Sequence, residues 1–308
     1  MTPSVEEVVY RLREPLRSAH GEVRERRILL LRLRDGDGAE GLGEAAPLES
    51  YDGVSLDACR DALESACAVL RETRDRALAL RTVAPLAPAA AAVDVAFWNL
   101  AAAQTGRPVW SLLGAEREPA VELNATLGGA DPVAEAAAAV AAGFDCVKVK
   151  VGIEDDAGRV AAVRDALGRG PRLRIDANGA WTVEEAPERL RELAPFDIEL
   201  CEEPVHGVEA LRAVRAASPI PIALDETATA PNALVPGVAD FACLKLAAWG
   251  GISGLVAAAR HARTAGLRVY IASTLDGPVG IAAARDAAAL IRPDAACGLA
   301  TLALFEDS

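Results

Sequence analysis

The stretch 145-DCVKVKVG-152 decides how this chain folds. Its residues alternate, so Lys148 and Lys150 share one face of a strand and Val147, Val149 and Val151 share the other. An apolar strand face must be covered. In a closed barrel of parallel strands the valines pack on the surrounding helices and the lysines point inward, near the C-terminal strand end where barrel active sites are built. A strand at a sheet edge also uses lysine, to block edge-to-edge pairing, but this strand stands inside a long run of similar ones. Only one further lysine occurs, Lys245: of 32 basic residues, 32 minus three leaves 29 arginines.

Outward from this strand the pattern repeats. Short apolar or β-branched runs occupy 121–128, 146–152, 172–179, 198–204, 221–227, 241–247, 268–274 and 296–301. Alanine- and leucine-rich helical segments such as 131–143 and 182–194 lie between them. Strands alternating with helices imply parallel pairing, and eight of them predict an α/β fold of the (β/α)8 TIM-barrel type over residues 118–301. An open doubly wound sheet is the alternative, but no strand is followed by a GxGxxG or Walker loop. Residues 1–117 lack the β/α repeat. There, 22–48 reads as two strands joined by the DGDG turn, followed by helical patterns at 55–80 and 86–113, an α+β unit. Its polar, glycine-containing loops at 16–25 and 47–55 suit a lid.

The bulk numbers set limits. The chain has 308 residues, 52% hydrophobic and 25% charged, with a net charge of −13. That balance argues against nucleic acid and anionic membranes as partners. No basic n-region with an apolar h-region opens the chain, and the alanine-rich stretch 84–103 is broken by prolines, Asp94 and Asn99. A cytoplasmic location is the expectation. The six cysteines are scattered without CxxC spacing and read as reduced core residues. Three histidines far apart argue against a His-rich metal site.

The three strands after 146–152 each end in acid: Asp176, then Glu202 and Glu203, then Asp225 and Glu226. Acids at strand ends also cap helices, yet three consecutive barrel strands presenting a carboxylate at one level form a set. Oxygen donors without His or Cys suit a hard ion, and Mg2+ is expected, with Mn2+ able to substitute. In the Glu202–Glu203 pair a regular strand turns only one side chain inward. Lys245 ends the next strand, so two lysines, three acids and one lysine follow one another round the barrel. A metal held between ammonium groups suits removal of a proton next to a carboxylate. A lysine base must shed its own proton, which burial and nearby positive charge favour, whereas arginine stays protonated. Asn178 shares the face of Asp176 and reaches toward substrate or a metal-bound water, or else closes the turn before Gly179. Ser273 and Thr274 end the seventh strand and either bind a substrate carboxylate or cap a helix. Trp181 and Trp249 read as packing residues.

These motifs resemble the enolase superfamily and, within it, the muconate-lactonizing-enzyme subgroup. They are K-V-K at 148–150, D-A-N at 176–178, E-E-P at 202–204, D-E at 225–226 and K-x4-G-G at 245–251. That superfamily is a known case of a Lys or His base working with Mg2+. The resemblance implies a modified barrel, an N-terminal capping domain completed by the tail 302–308, and a small-molecule carboxylate as substrate. It also implies Asp176, Glu202 and Asp225 as Mg2+ ligands, Lys150 and Lys245 flanking the substrate, and Lys148 tuning Lys150. A mandelate-racemase-like His–Asp dyad is missing, because 271-IASTLDG-277 has no His and His261 falls in a helix. The short chain, 273-STLDGPVGIAAA-284 and 297-CGLATLALF-305 resemble the o-succinylbenzoate synthase branch of menaquinone biosynthesis. Leu246 stands where many relatives have Pro. N-acylamino acid racemases share nearly all the motifs. Dipeptide epimerases carry a D-x-D near the eighth strand, which 296–305 lacks, and cycloisomerases of the subgroup are a further alternative.

Overall fold

The computed structural model describes residues 1–19, 21–153 and 155–306. The cap is built on an antiparallel sheet in the order β1 (Thr2–Ser18), β2 (Gly21–Arg34), β3 (Glu40–Ala45). The DGDG turn joins β2 to β3, and the Asp35 carboxylate accepts from the amides of Asp37 (3.0 Å) and Ala39 (2.9 Å), an Asx turn. β1 is an addition to the two expected strands. Its V-E-E-V-V-Y run breaks the period of two, so its strand character comes from pairing with β2 along nearly its whole length. The lid loop expected at 16–25 is largely the tip of that β1–β2 hairpin.

The loop at 47–55 carries a single helical turn, α1 (Glu49–Asp52). The two helical patterns of the cap each divide. The first becomes α2 (Leu56–Thr73) and α3 (Arg76–Val83), separated by Arg74 in the left-handed region and by Asp75, which caps α3 by accepting from Leu78 N at 3.0 Å. The second becomes α4 (Ala87–Thr105) and α5 (Val109–Leu112), separated at Gly106 and Pro108, a glycine that takes φ 65° and a proline that cannot continue the helix. Leu29, Leu31 and Leu33 alternate inward on β2 and are fully buried with Leu63, Leu70, Ala92 and Ala96 of the helices. β3 lies directly on α4. A Cβ at Gly43 would fall 1.8 Å from Ala92 O, and one at Gly41 2.1 Å from Ala96 O.

The second layer is a curled sheet of seven parallel strands. They are β4 (Ala125–Leu127), β5 (Cys146–Lys150), β6 (Arg172–Asp176), β7 (Ile198–Glu202), β8 (Ile222–Leu224), β9 (Phe241–Lys245) and β10 (Arg268–Ala272), neighbouring in that order. The helices α6 (Pro132–Ala141), α7 (Asp156–Leu167), α8 (Ala186–Leu193), α9 (Val208–Ala217), α10 (Ile252–Thr264) and α11 (Pro278–Ile291) alternate with them. This is the α/β, modified barrel with an α+β cap. Val147, Val149 and Val151 are fully buried in its core, as the alternation of 145–152 requires.

Two expectations fail locally. The strand expected at 296–301 is reduced to two bridges, Cys297 to Leu123 and Gly298 to Ala272, which close the ring between its first and last strands. Between β8 and β9 a 3-10 turn (Glu226–Thr229) and a loop containing Pro231 and Pro236 replace the helix, because proline removes the amides a helix would need. Beyond the closing bridges the chain returns to the cap: Leu12 bridges Phe305, and Glu306 N donates to Arg11 O at 2.9 Å. All six cysteines are free and buried. Among the described residues no helix is long and apolar enough to cross a membrane.

The β3–α4 contact yields a stability prediction. Gly43→Ala places a methyl group against the α4 backbone, which cannot yield as a side-chain end would. Denaturant unfolding should show a loss of about 1–3 kcal/mol or more. Wild-type stability in that variant would show that the two elements are not in this close register.

Candidate active site

Parallel pairing sets the inward residues side by side. Lys150 lies opposite Asp176, and Asp176 opposite Glu202, across β5, β6 and β7. The alternation that points one of them into the barrel points all of them in. Each lysine is less than a tenth exposed, and the three acids are buried. Lys148 Nζ donates to Asp176 Oδ2 (2.9 Å) and Glu202 Oε1 (2.8 Å). Lys150 Nζ donates to the same Asp176 oxygen and to Asn178 Oδ1, both at 2.7 Å. Four strands away, Lys245 Nζ donates to Asp225 Oδ2 at 2.6 Å. Lys150 and Lys245 thus approach one cavity from opposite walls.

Charge in this cluster does not balance. The carboxylates of Asp176, Glu202, Asp225 and Glu226 face the three ammonium groups. Burial works against every one of these charges. Against burial, Lys148 and Lys150 hold Asp176 well below the usual carboxylate range, and Asp176 and Glu202 raise Lys148. Asp225 has one lysine but three acidic neighbours: burial, with Glu226, Glu202 and Asp176, pushes it well above its usual range despite Lys245. Against its burial, Lys245 is itself raised, because Asp225 together with Cys243, Glu226 and Glu202 favours its charge. An added cation among these oxygens relieves that excess, so the donor set fits a hard divalent ion. Donor atoms of Glu202, Asp225 and Cys243 lie within 4.8 Å of one another. Asp176 stands outside that group, its Oδ2 shared by two lysines.

The Glu202–Glu203 pair divides as the strand alternation demands. Glu202 turns inward. Glu203 takes φ 39°, in the left-handed region, and its buried carboxylate accepts from Asp225 N (2.8 Å), Thr227 N (3.0 Å) and the Thr227 hydroxyl. His206 Nδ1 lies 3.2 Å from the same carboxylate. Glu203 therefore holds the backbone that presents Asp225 and Glu226. Asn178, also in the left-handed region at φ 46°, accepts from Lys150 and donates to Glu226 Oε1 at 2.9 Å, so its turn conformation and its place in the site are one feature.

Several members of the site carry no motif. Tyr51, from α1 of the cap, lays its ring 4.0 Å from Lys245 Nζ and donates its hydroxyl to Asp225 Oδ1 at 2.9 Å, a cation–π contact with a hydrogen bond beside it. Tyr270 donates to Glu202 Oε2 at 2.6 Å and stacks under Arg174, which is fully buried and bonded to Glu199 (2.5 Å) and Ala296 O (2.7 Å). Tyr270 and Cys243 lie two residues before Ala272 and Lys245, so strand alternation could have found both. Nothing in the sequence ties Tyr51 to Lys245.

The cavity has a volume of about 300 Å³ and lies between cap and barrel. Leu16, Ser18, Val23 and Tyr51 come from the cap, and both loops expected to form a lid contribute. Ser273 and Thr274 lie on the wall across from the acids. Ser273 Oγ is 2.8 Å from Thr301 Oγ1, while the Thr274 hydroxyl is committed to Asp276 Oδ1 at 2.6 Å. Trp181 is buried in the barrel core, and Trp249 packs against it.

Comparisons with known proteins follow this geometry. Residues 131–301 match the family described as enolase C-terminal domain-like, and residues 2–114 match the mandelate racemase/muconate lactonizing enzyme N-terminal domain. The chain is 30% identical over 293 residues to the D-Ala-D/L-Ala epimerase of Cytophaga hutchinsonii, covering 89% of this chain and 79% of that protein. It is 40% identical over 197 residues to the o-succinylbenzoate synthase of Thermobifida fusca, covering 60% of this chain and 61% of that protein. The crystal structure of the Enterococcus faecalis dipeptide epimerase, complexed with Mg and L-Leu-L-Tyr, superposes with a TM-score of 0.91 at 27% identity, covering all of this chain and 92% of that one. With both domains matched, the chain belongs to the enolase superfamily, in its muconate-lactonizing-enzyme subgroup.

Proposed function

We propose that this chain is a Mg2+-dependent enzyme that removes the proton next to a carboxylate. Within that chemistry, it dehydrates 2-succinyl-6-hydroxy-2,4-cyclohexadiene-1-carboxylate to o-succinylbenzoate, a step of menaquinone biosynthesis. The observation that carries the dehydratase reading is the unequal setting of the two flanking lysines. Lys245 is fixed as a cation between the Asp225 carboxylate and the Tyr51 ring. Lys150 shares its carboxylate with Lys148 and is otherwise bound to a neutral amide oxygen. One base and one fixed positive charge are what a dehydration on one face needs. Racemisation needs two lysines that both exchange protons.

In this reading Asp176, Glu202 and Asp225 hold the metal, which when bound supplies positive charge against the substrate carboxylate; Mn2+ serves in its place. Lys150 takes the proton and returns it to the departing hydroxyl, and Lys148 keeps a second ammonium beside it. Lys245 stabilises the negative charge that develops on the far side. Asn178 orients Lys150, and Ser273 and Thr274 belong to the wall that meets the distal part of the substrate. The residue identity with o-succinylbenzoate synthases, 40% and 43% over about half to three fifths of the chain, supports this choice. Dipeptide epimerases match more of the chain at lower identity, but the closing segment 296–305, which sets Gly298 and Thr301 on the cavity, holds no D-x-D. N-succinylamino acid racemisation is the second reading, favoured by the presence of a lysine on each wall.

The decisive experiment supplies the cyclohexadiene substrate with Mg2+ and follows the aromatic product, in parallel with N-succinyl amino acids. Chelation should abolish turnover, and Mg2+ or Mn2+ should restore it. Lys150→Arg should eliminate turnover. Lys245→Arg, which keeps the charge but cannot act as a base, should still let Lys150 exchange the α-proton with solvent deuterium, while racemisation is lost in both variants. Efficient racemisation without any o-succinylbenzoate from the wild type would overturn the dehydratase assignment.

The two adjacent glutamates give a separate test. Glu202→Gln should abolish Mg2+ binding. Glu203→Gln should keep it, weakened by about 10–100-fold because its carboxylate only orients Asp225. The reverse ranking in a Mg2+ titration would mean that the roles of the pair are exchanged.

A further inference from the structure

Away from the lysines and the metal-binding acids, three charged side chains are buried where cap and barrel meet. Arg26 on β2, Glu44 on β3 and Asp276 after β10 are each at most 5% exposed. Buried charge is retained at a cost unless it is paired and hydrogen-bonded, so the arrangement needs a reason.

Glu44 supplies one. Helix α11 starts at Pro278 after Gly277, and no side chain of its own caps it. Glu44 takes that place from another layer of the molecule: its Oε1 accepts from Gly277 N at 2.6 Å and its Oε2 from Gly280 N at 3.2 Å. Carboxylates satisfy the free amides at a helix start and suit its positive end. Both glycines are needed for this approach, because a Cβ at Gly277 would lie 2.7 Å from Glu44 Oε2 and one at Gly280 2.8 Å from Glu44 Oε1.

Arg26 holds the same loop one step upstream. Its guanidinium donates to Leu275 O (3.4 Å) and to Ala46 O (3.1 Å). Leu275 is a non-glycine residue at φ 59°. Such a conformation persists only where the surroundings over-determine it. Here the cap grips the chain on both sides of Leu275, through Arg26 at its carbonyl and Glu44 two residues on. Ser273, Thr274 and Leu275 all line the cavity, on the wall across from the acids.

We propose that Glu44, seconded by Arg26, is a positioning residue for the substrate wall 273–277, so that the cap sets the shape of the part of the cavity that meets the substrate's distal acyl arm. The identity of that arm rests on the proposed function; the hold on the loop does not. Burial and the neighbouring Asp276 carboxylate push Glu44 up to about 8, so Gln at this position imitates the form that carries a proton.

The test compares Glu44→Ala, Glu44→Gln and Glu44→Asp in the full chain. Amide hydrogen exchange of the segment 273–281, read by mass spectrometry, should show about tenfold lower protection in Glu44→Ala, with β5 to β9 unchanged. KM for the succinyl-bearing substrates should rise about tenfold, with kcat within about threefold of wild type. For α-proton exchange of an N-acetyl amino acid, which lacks the distal carboxylate arm, the KM increase should vanish. Gln keeps one acceptor oxygen but sets an amide NH2 against one of the two backbone N–H groups, so it should restore only part of both readouts, falling between wild type and Ala. Asp, too short to reach Gly277 N, should reproduce the Ala behaviour and stands in for it should Ala not fold. Unchanged protection of 273–281 overturns the proposal, as does an equal fall in kcat for both kinds of substrate with KM unchanged. If the wild type turns over no succinyl substrate, the proposed function fails and the exchange measurement alone decides the role of Glu44.

Discussion

The structure depends on a set of like charges held together inside a closed barrel. Asp176, Glu202 and Asp225 converge with three lysines in a space almost shut off from water, with the half-buried Glu226 at its edge. Removing any one charge from water costs several kcal/mol, which only close opposite charge and good hydrogen bonding offset. Every lysine nitrogen here accordingly has a carboxylate within 2.9 Å. All three lysines of the chain stand at these positions, where a compact ammonium fits against carboxylates.

Such a cluster keeps its geometry only if its neighbours cannot move. Glu203 fixes the backbone under Asp225, Tyr270 and Arg174 support Glu202 from below, and Tyr51 covers Lys245 from the cap. The hydrophobic layer behind them is dense: Val147, Val149, Leu173, Ile175 and Leu200 are fully buried. Close packing transmits any displacement of a strand directly to the residues at its end. The strained conformations at Asn178, Glu203 and Leu275 all lie around the cavity, where surrounding contacts hold backbone that would relax elsewhere.

The cap participates in the site as well as covering it. Tyr51 touches both a lysine and an acid of the barrel, and Arg26 and Glu44 hold the loop that forms the opposite wall. Closure of the cap is therefore linked by contact to the arrangement of groups on two sides of the cavity. In the proposed reading, that link gives a physical basis for variation in substrate: the acids and lysines at the strand ends serve proton removal, and the cap and the loops it grips shape what fits beside them.

By itself the sequence determined the periodic features. Alternation in 145-DCVKVKVG-152 placed both lysines inward, and the recurrence of strand and helix gave the barrel. The acids ending three successive strands marked the end of the barrel where the charged cluster gathers, and alternation separated Glu202 from Glu203. These were legible because each is a local rule with a fixed period. Only the tertiary structure decided the rest. β1 is a strand because β2 pairs with it, and the closing segment is two bridges because it needs only to join Leu123 to Ala272. Tyr51 meets Lys245, and Glu44 meets Gly277, across separations of 194 and 233 residues (245 minus 51; 277 minus 44). No periodicity connects residues that far apart. Their meeting is fixed by how the cap sheet docks on the barrel, which is a property of packed surfaces and of the buried charges between them.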